Sequence, residues 1–229
     1  MRSLTNSPPP APCRRWPAAW LSACPKPRRG GRLSRPCARP ACSCLTACAT
    51  CPAGWCALSY KHLAQRALRQ GLPQIEIMED DVVFAPGYAE RRQRVQAWLD
   101  RHAGQWDVFV GVMALVHPET RVLKVEREGG ETYLTLDRMI SMVCNTYTPA
   151  ALERMASWDE TWQDANANTI DRYLQSQGGL RVVVTLPFLV GHHEELDSLL
   201  WGISNEHYGP LIAQAQARLE QLAAQAEKH

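Results

Sequence analysis

QIEIMEDDVVFAPG, residues 74–87, is the stretch of the sequence that decides the fold. Its opening run, IEIM at 75–78, predicts a short buried strand, because β-branched residues favour strands and a short apolar run is typical of one. A second apolar trio, VVF, follows at 82–84, and the Pro-Gly pair at 86–87 is typical of a chain break. Three acidic residues lie between the two apolar runs, and they are the most informative feature of the chain.

These acidic residues are Glu79, Asp80 and Asp81. Carboxylates inside an apolar run are costly to bury unless a cation meets them, and ligands of open α/β sheets bind at the carboxyl ends of strands. The pattern therefore predicts a divalent metal that carries a phosphorylated ligand. The other interpretation is an acidic strand exit that faces water. On an extended chain Glu79 and Asp81 point the same way, so we expect these two to bind the metal or donor, with Asp80 as the alternate.

Charge is unevenly distributed along the chain. Residues 1–52 carry eight Arg, one Lys and no acidic residue, whereas all 23 Asp and Glu lie from Glu76 onward. An acidic globular part argues against a nucleic-acid-binding surface. We therefore expect no nucleic-acid partner and favour a protein that holds a metal or has a solvated acidic face.

The cysteines follow the same division, since only Cys56 and Cys144 of the nine lie beyond residue 51. Two cysteines make no disulfide framework, which favours a reducing compartment and hence the cytoplasm. No run reaches the roughly 18 apolar residues that a membrane span needs. We expect at most peripheral contact with the inner membrane, through the basic segment at 1–52.

Residues 1–52 are rich in Pro, Arg, Ala and Cys and show no helical or strand period. Such a segment cannot bury enough apolar area to offset its ordering entropy, so we expect a disordered extension followed by a globular domain at 53–229. Three sharper interpretations stay open: a transit peptide, a stretch outside the native coding frame, and a zinc site. The zinc site would use Cys42, Cys44, Cys48 and Cys51. The abrupt change of composition at Ala53-Gly54 favours the frame interpretation.

Helical and strand patterns alternate through the remaining chain. Amphipathic periodicity predicts helices at 57–70, 88–102, 149–157, 169–177 and 210–228, and short apolar runs predict strands at 74–78, 107–112, 121–125, 132–136, 139–147 and 180–185. This alternation predicts an α/β fold with one mixed sheet flanked by helices. Ser59 is expected in the first turn of its helix, and Arg91, Arg92 and Arg94 are expected to form a solvated helix face.

Residues 54–84, GWCALSYKHLAQRALRQGLPQIEIMEDDVVF, resemble glycosyltransferase family 25, which includes bacterial lipopolysaccharide sugar transferases and collagen galactosyltransferases. The family pattern is a Ser-led helix, here at Ser59, followed by a strand that ends in Glu-Asp-Asp; Tyr60 stands where His is common. The resemblance extends over roughly residues 54–222. Its later pieces are Asn145-Thr146-Tyr147, Ile170-Asp171-Arg172-Tyr173-Leu174, Pro187 and Asp197-Ser198.

The resemblance implies a GT-A-like, Rossmann-like fold, a UDP-sugar donor, and a glycan or lipid-linked glycan acceptor. It also implies Mn²⁺ or Mg²⁺, for which hard oxygen ligands are suitable. A metal held by carboxylates neutralises the charge that develops on the leaving diphosphate. Family members begin with a strand and helix that hold the donor's base. The Pro/Arg/Cys-rich segment takes that place here, so we expect the first βα unit to be missing or replaced.

Residue roles follow from the same resemblance. Donor-binding residues would be Ser59, Glu79, Asp80 and Asp81; metal ligands would be Glu79, Asp81 and His192; and Asp171 would be the catalytic base. The plainer interpretation of Asp171 is an acid at a helix N-terminus, where the dipole favours it. His192 and His193 have the alternative of being loop histidines in water. Trp158 and Trp162 could stack on an acceptor sugar or pack a lid.

Three other functions compete with a transferase. A receiver domain also carries Glu-Asp-Asp, but it needs an Asp at the end of the third strand, and DVFVGV at 107–112 ends in Gly-Val. A haloacid-dehalogenase-like phosphatase needs Asp-x-Asp-x-Thr/Val at its first strand, which Glu79–Val83 does not supply. The stronger alternative is a truncated, non-catalytic transferase-like remnant or interaction domain.

Overall fold

The computed structural model describes residues 20–22, 54–159, 161, 168–195 and 205–228. These residues form nine strands and five α-helices. In chain order they are β1 (Trp20–Ser22), α1 (Gly54–Arg69), β2 (Ile75–Met78), β3 (Val82–Phe84), α2 (Tyr88–Arg101), β4 (Val108–Val110), β5 (Val122–Glu128), β6 (Glu131–Leu136), β7 (Cys144–Tyr147), α3 (Pro149–Ala156), α4 (Ile170–Ser176), β8 (Val182–Leu186), β9 (Val190–His192) and α5 (Tyr208–Ala226).

The main sheet is mixed, with seven strands in the order β1-β2-β7-β4-β8-β6-β5. β1 is parallel to β2 and β4 is parallel to β8, whereas every other neighbouring pair is antiparallel. The predicted α/β class with a mixed sheet flanked by helices is confirmed. The expectation of a single sheet is wrong, because β3 pairs with β9 in a second, two-stranded sheet.

One strand comes from the segment for which we expect disorder. β1 lies at the edge of the main sheet, where Trp20 faces Glu76 and Ser22 faces Met78 in parallel register. The rest of residues 1–53 lies outside the described residues, including the cysteines of the zinc interpretation. The segment expected to replace the first βα unit therefore supplies an edge strand beside β2.

The middle of the main sheet is the core of the protein. Every residue of β4, β7 and β8 is buried, as the apolar runs of the two parallel strands β4 and β8 predict. α1 packs against α3, and α2 lies over β6, where the ring of Trp98 stacks on that of Tyr133 with centroids 4.3 Å apart. None of the described helices is long and apolar enough to cross a bilayer.

Two boundaries differ from the sequence prediction in ways that affect the site. α1 begins at Gly54, three residues earlier than expected, so Ser59 lies in its second turn rather than its first. The strand predicted at 139–147 is limited to β7. Residues 139–143 form a connection instead, and this connection contributes Met142 and Val143 to the contacts of the site.

The arginines of α2 do not form the expected solvated face. Arg91 is 13% exposed and donates from Nε and Nη2 to the two carboxylate oxygens of Glu131, at 2.9 and 2.6 Å. Arg92 donates from Nε to Glu76 at 2.9 Å, and only Arg94 is substantially exposed. The reason is that β2 and β6 each carry an acid beneath this helix, Glu76 at 12% and Glu131 at 2% exposure. A carboxylate that is largely removed from water needs a cation and hydrogen-bond donors.

Replacing Arg91 with Met should lower the free energy of unfolding by about 3 kcal/mol, because the carboxylate of Glu131 is 2% exposed and loses its bidentate partner. Arg101→Met, on the same helix, breaks the exposed pair of Arg101 with Glu128 and should cost less than about 1 kcal/mol. Urea denaturation followed by circular dichroism measures both variants. Equal losses in the two variants would contradict the assignment of Arg91 as a structural cation.

Candidate functional site

The two-stranded sheet brings two distant parts of the chain together. In it Val82 lies opposite His192 and Phe84 lies opposite Val190. The pairing continues one residue further, because the amide of His193 donates to the carbonyl oxygen of Asp81 at 2.7 Å. Backbone hydrogen bonds therefore hold the end of the acidic stretch beside the end of β9.

Asp81 and His192 meet at this junction. His192 Nε2 lies 3.0 Å from Asp81 Oδ2, and the two side chains are only 8% and 2% exposed. The imidazole also lies against the ring of Tyr208, the first residue of α5, with ring centroids 4.8 Å apart. Its Nδ1 atom is buried and has no hydrogen-bond partner among the described residues. A buried carboxylate in contact with an imidazole can take a proton, share one, or bind a cation together with it.

Glu79 has a different environment from Asp81. β2 ends at Met78, the amide of Glu79 donates to the carbonyl oxygen of Val143 at 2.8 Å, and Asp80 and Asp81 lie in a turn. The hydroxyl of Tyr60 lies 3.3 Å from Glu79 Oε1 and donates to the carbonyl oxygen of Met142 at 2.7 Å. The extended geometry that we expected for 79–81 is wrong, because the chain turns immediately after the strand.

The three expected metal ligands are consequently not gathered into one cluster. Among the residues that the structure describes, no three His, Cys, Asp or Glu side chains form a group that could hold a metal ion. Asp81 and His192 do fit a metal as a pair. Neighbouring ligands in an octahedral shell of about 2.1 Å radius lie about 3.0 Å apart, and Mg²⁺ commonly takes only one or two protein ligands beside substrate phosphates and water.

Asp171 lies at the start of α4. Its Oδ1 accepts a hydrogen bond from the hydroxyl of Thr169 at 2.6 Å and another from the amide of Arg172 at 2.9 Å. These contacts are those of an acid at a helix N-terminus, so the plainer interpretation of Asp171 describes its local role. Burial raises the pKa of Tyr147, and the negative charges of Asp171 and Glu79 raise it further. Both carboxylates therefore lie within electrostatic reach of one buried hydroxyl.

The site also includes three residues to which the sequence analysis assigned no role. Asn145 and Tyr147 alternate on β7 and so share one face of the sheet; the amide of Asn145 donates to the Tyr147 hydroxyl at 2.9 Å and to the carbonyl oxygen of Ser141 at 2.7 Å. The third residue is Tyr60, beside Glu79. The sequence offered two signals for these residues, the positions of Tyr60 and Asn145-Thr146-Tyr147 in the family resemblance and the Asn-x-Tyr spacing on a strand. Neither assigns a role, because period-2 alternation predicts a shared face but not which face.

The other predicted site residues have mixed outcomes. Ser59 is half-buried on α1, one residue before Tyr60, and Asp80 is half-buried in its turn. Their role in donor binding stays a prediction. Trp158 is 4% exposed, and its indole N–H donates to Asn168, so it is a packing residue and does not offer a face to a sugar. Trp162 lies outside the described residues.

Gly111 holds the connection between β8 and β9 in place through backbone hydrogen bonds. Its carbonyl oxygen accepts hydrogen bonds from the amides of Leu189 and Val190 at 3.0 and 3.3 Å, and its own amide donates to Cys144 at 2.7 Å. A Cβ atom at this position would lie 2.8 Å from the Cys144 carbonyl oxygen and 3.1 Å from Val190 Cγ2. Only glycine allows these backbones to approach so closely.

Gly111→Ala should lower the free energy of unfolding by about 2 kcal/mol, as overpacking does, and should displace His192 from Asp81. The matched control is Gly191→Ala in β9, where the added Cβ would meet nothing closer than 3.9 Å. Thermal unfolding measures the stability, and the NMR shift of the His192 ring reports its environment. A Gly111→Ala variant as stable as Gly191→Ala, with an unchanged His192 signal, would contradict this role of Gly111.

Comparison of the chain with models of known protein families and with curated proteins finds no match to either. The resemblance to glycosyltransferase family 25 therefore depends on the residues quoted above and stays a prediction.

Proposed function

We propose that this chain contains a GT-A-like glycosyltransferase domain of the family 25 type, which moves a galactose-like sugar from a UDP-sugar to a lipopolysaccharide or other surface glycan. The observation that carries the proposal is the buried contact of His192 with Asp81, the last residue of the Glu-Asp-Asp stretch, at 3.0 Å. Asp81 lies between β2 and β3 and is part of the acidic triplet that motivated the prediction, and His192 is the last residue of β9.

Asp81 Oδ2 and His192 Nε2 are the atoms that would hold Mn²⁺ or Mg²⁺. When bound, the metal offsets the negative charge that develops on the departing nucleotide diphosphate. Glu79 is not grouped with this pair, and its Oε1 atom accepts a hydrogen bond from the Tyr60 hydroxyl. Its carboxylate would accept a further hydrogen bond from a sugar or ribose hydroxyl of the UDP-sugar. The division gives the two acids separate roles, one at the diphosphate and the other at the sugar or ribose.

The transfer itself needs one proton acceptor. The acceptor hydroxyl oxygen forms a bond to the anomeric carbon while the bond from that carbon to the diphosphate oxygen breaks. The hydroxyl proton moves to the carboxylate of Asp171, which acts as general base. Asp171 is held by Thr169 and the start of α4, so its position is fixed before an acceptor binds, as a positioned base requires.

For the location we propose the cytoplasm, with peripheral contact at the inner membrane. Two features support this part of the proposal. Cys144 is a free, buried cysteine, and burial raises its pKa to about 12, as for an inert thiol. The basic residues of 1–52 provide charge that is attracted to an anionic membrane surface.

A non-catalytic remnant is the second candidate. The observation that favours it is that Glu79 does not join Asp81 and His192 in a metal-holding group within the described residues. A remnant would keep the fold and the contact of Asp81 with His192 as a structural hydrogen bond, without affinity for metal or nucleotide. Binding therefore separates the two candidates more directly than stability does.

Calorimetric titration of UDP into the full chain, with and without Mn²⁺, tests the proposal. UDP should bind in the presence of Mn²⁺, and Asp81→Asn should weaken that binding at least tenfold, because the neutral amide is a poor metal ligand. Asp100→Asn, which changes an exposed acid of α2, is the control and should bind like the wild type. His192→Gln provides a second test should Asp81→Asn fail to fold. A folded wild-type protein that binds no UDP under either condition would favour the remnant.

A further inference from the structure

Phe84 is an exposed aromatic side chain close to the proposed donor site. It is the last residue of β3 and is 49% exposed. In the part of the chain that the structure describes, it is the one aromatic residue among the large hydrophobic side chains that are exposed. Its ring lies against that of Tyr88 in α2, with centroids 4.3 Å apart and ring planes tilted by 40°. Tyr88 therefore supports one side of the ring, and about half of the side chain is open to solvent.

The register of the two-stranded sheet places Phe84 on the same face as His192. Val82 lies opposite His192, and Phe84 lies opposite Val190. Directly opposite residues of an antiparallel pair point to the same face, and so do residues two positions apart on one strand. Phe84 and His192 are therefore diagonal neighbours, for which a separation of roughly 7 Å is typical. An aromatic surface thus lies one residue pair away from the proposed metal ligands.

The acidic stretch has α1 on one side and α2 on the other. α2 covers the face of β2 that carries Glu76, since Arg92 donates to that acid at 2.9 Å. The ladder of β2 continues through the amide of Glu79, and three positions separate this residue from Glu76, so its side chain points to the other face. There it contacts Tyr60 of α1. Phe84, which lies against the first residue of α2, is thus on the opposite side of the stretch from Glu79.

These two sides correspond to the two ends of a nucleotide sugar. A diphosphate at the proposed metal site carries the transferred sugar at one end and the nucleoside at the other. Burial raises the pKa of Tyr147, and the charges of Asp171 and Glu79 raise it further, so both carboxylates act on one buried hydroxyl. The reacting sugar must lie beside the proposed base, Asp171, and hence on the side of Glu79. The nucleoside then points toward Phe84.

We propose that Phe84 is the surface on which the base of the bound nucleoside diphosphate stacks. The inference rests on the proposed function, because it needs the diphosphate beside Asp81 and His192. The base is one ribose away from the phosphates, which matches an aromatic ring one residue pair beyond His192. Stacking of a nucleobase on an aromatic side chain typically contributes about tenfold or more in affinity. Since every base has a flat π face, Phe84 contributes affinity without selecting the base.

Calorimetric titrations of UDP and of methylenediphosphonate into the full chain, both with Mg²⁺, test this inference. Methylenediphosphonate carries two linked phosphonate groups and no base. Phe84→Leu should weaken UDP binding about tenfold, because leucine keeps an apolar contact with Tyr88 but has no ring, and should leave the affinity for methylenediphosphonate unchanged. Phe84→Tyr should retain the affinity for UDP. The NMR signals of the uracil ring protons should move upfield in the wild-type complex, because of the ring current of Phe84, and should not do so with Phe84→Leu.

Val83→Ala is the matched control, because Val83 is the neighbouring apolar residue of β3, is 41% exposed and points to the other face. It should leave both affinities unchanged. UDP binding that Phe84→Leu does not weaken would overturn the inference while the proposed function stands. An equal loss of both ligands in Phe84→Leu would overturn it too, since that would indicate a structural role for Phe84. A wild-type chain that binds neither ligand would contradict the proposed function and, with it, this inference.

Discussion

The pairing of β3 with β9 is the constraint on which the candidate site depends. Each of these strands has three residues, and an isolated two-stranded sheet is at best marginally stable in water. Their association must therefore be supported from outside. When β3 and β9 pair, Asp81 and His192 are brought into contact although 110 residues separate them in the sequence, and when they do not pair the site does not exist.

The support comes from the residues that hold the connection between β8 and β9. Arg91 donates to the carbonyl oxygens of Pro187 and Phe188 at 2.7 and 3.0 Å, while its other hydrogen bonds go to Glu131. The carbonyl oxygen of Gly111 accepts hydrogen bonds from the amides of Leu189 and Val190, the two residues that follow Phe188. A buried ion pair between α2 and β6 and a glycine after β4 thus position the histidine. Buried charges that fix a local geometry in this way need not increase stability over an apolar replacement.

The sequence was sufficient to predict the helices and most strands, but not the strand pairing and ion pairs between residues far apart in the chain. Helical and strand periods located all five described helices and every strand of the main sheet except β1. The largest error is at β7, which begins five residues later than predicted. β3 and β9 were not paired in the prediction, because three residues carry no measurable period and their contact is long-range. The solvated face expected for Arg91 and Arg92 was wrong for a related reason. Their acids, Glu131 and Glu76, lie on strands 40 and 16 residues away, where helical periodicity gives no information.

The chemical types of the site residues were a better guide to the site than the backbone geometry that we expected for residues 79–81. Asp81 and His192 were both expected as metal ligands on the strength of a family resemblance, and they lie in contact, although binding of a metal stays a prediction. Glu79 was placed with them on the assumption of an extended chain, and the turn at Asp80 separates it. Tyr60 and Tyr147 were not predicted, since their hydroxyl partners depend on side-chain packing between α1, β7 and the connection at 139–143.

The most direct measurement is X-ray diffraction at the manganese absorption edge, from crystals of the full chain grown with Mn²⁺ and UDP. The proposed function predicts an anomalous peak about 2.1–2.2 Å from both Asp81 Oδ2 and His192 Nε2, with the diphosphate of UDP on its open side. Well-ordered crystals with UDP bound elsewhere, or with no manganese peak beside Asp81 and His192, would contradict it and leave their contact as a structural hydrogen bond.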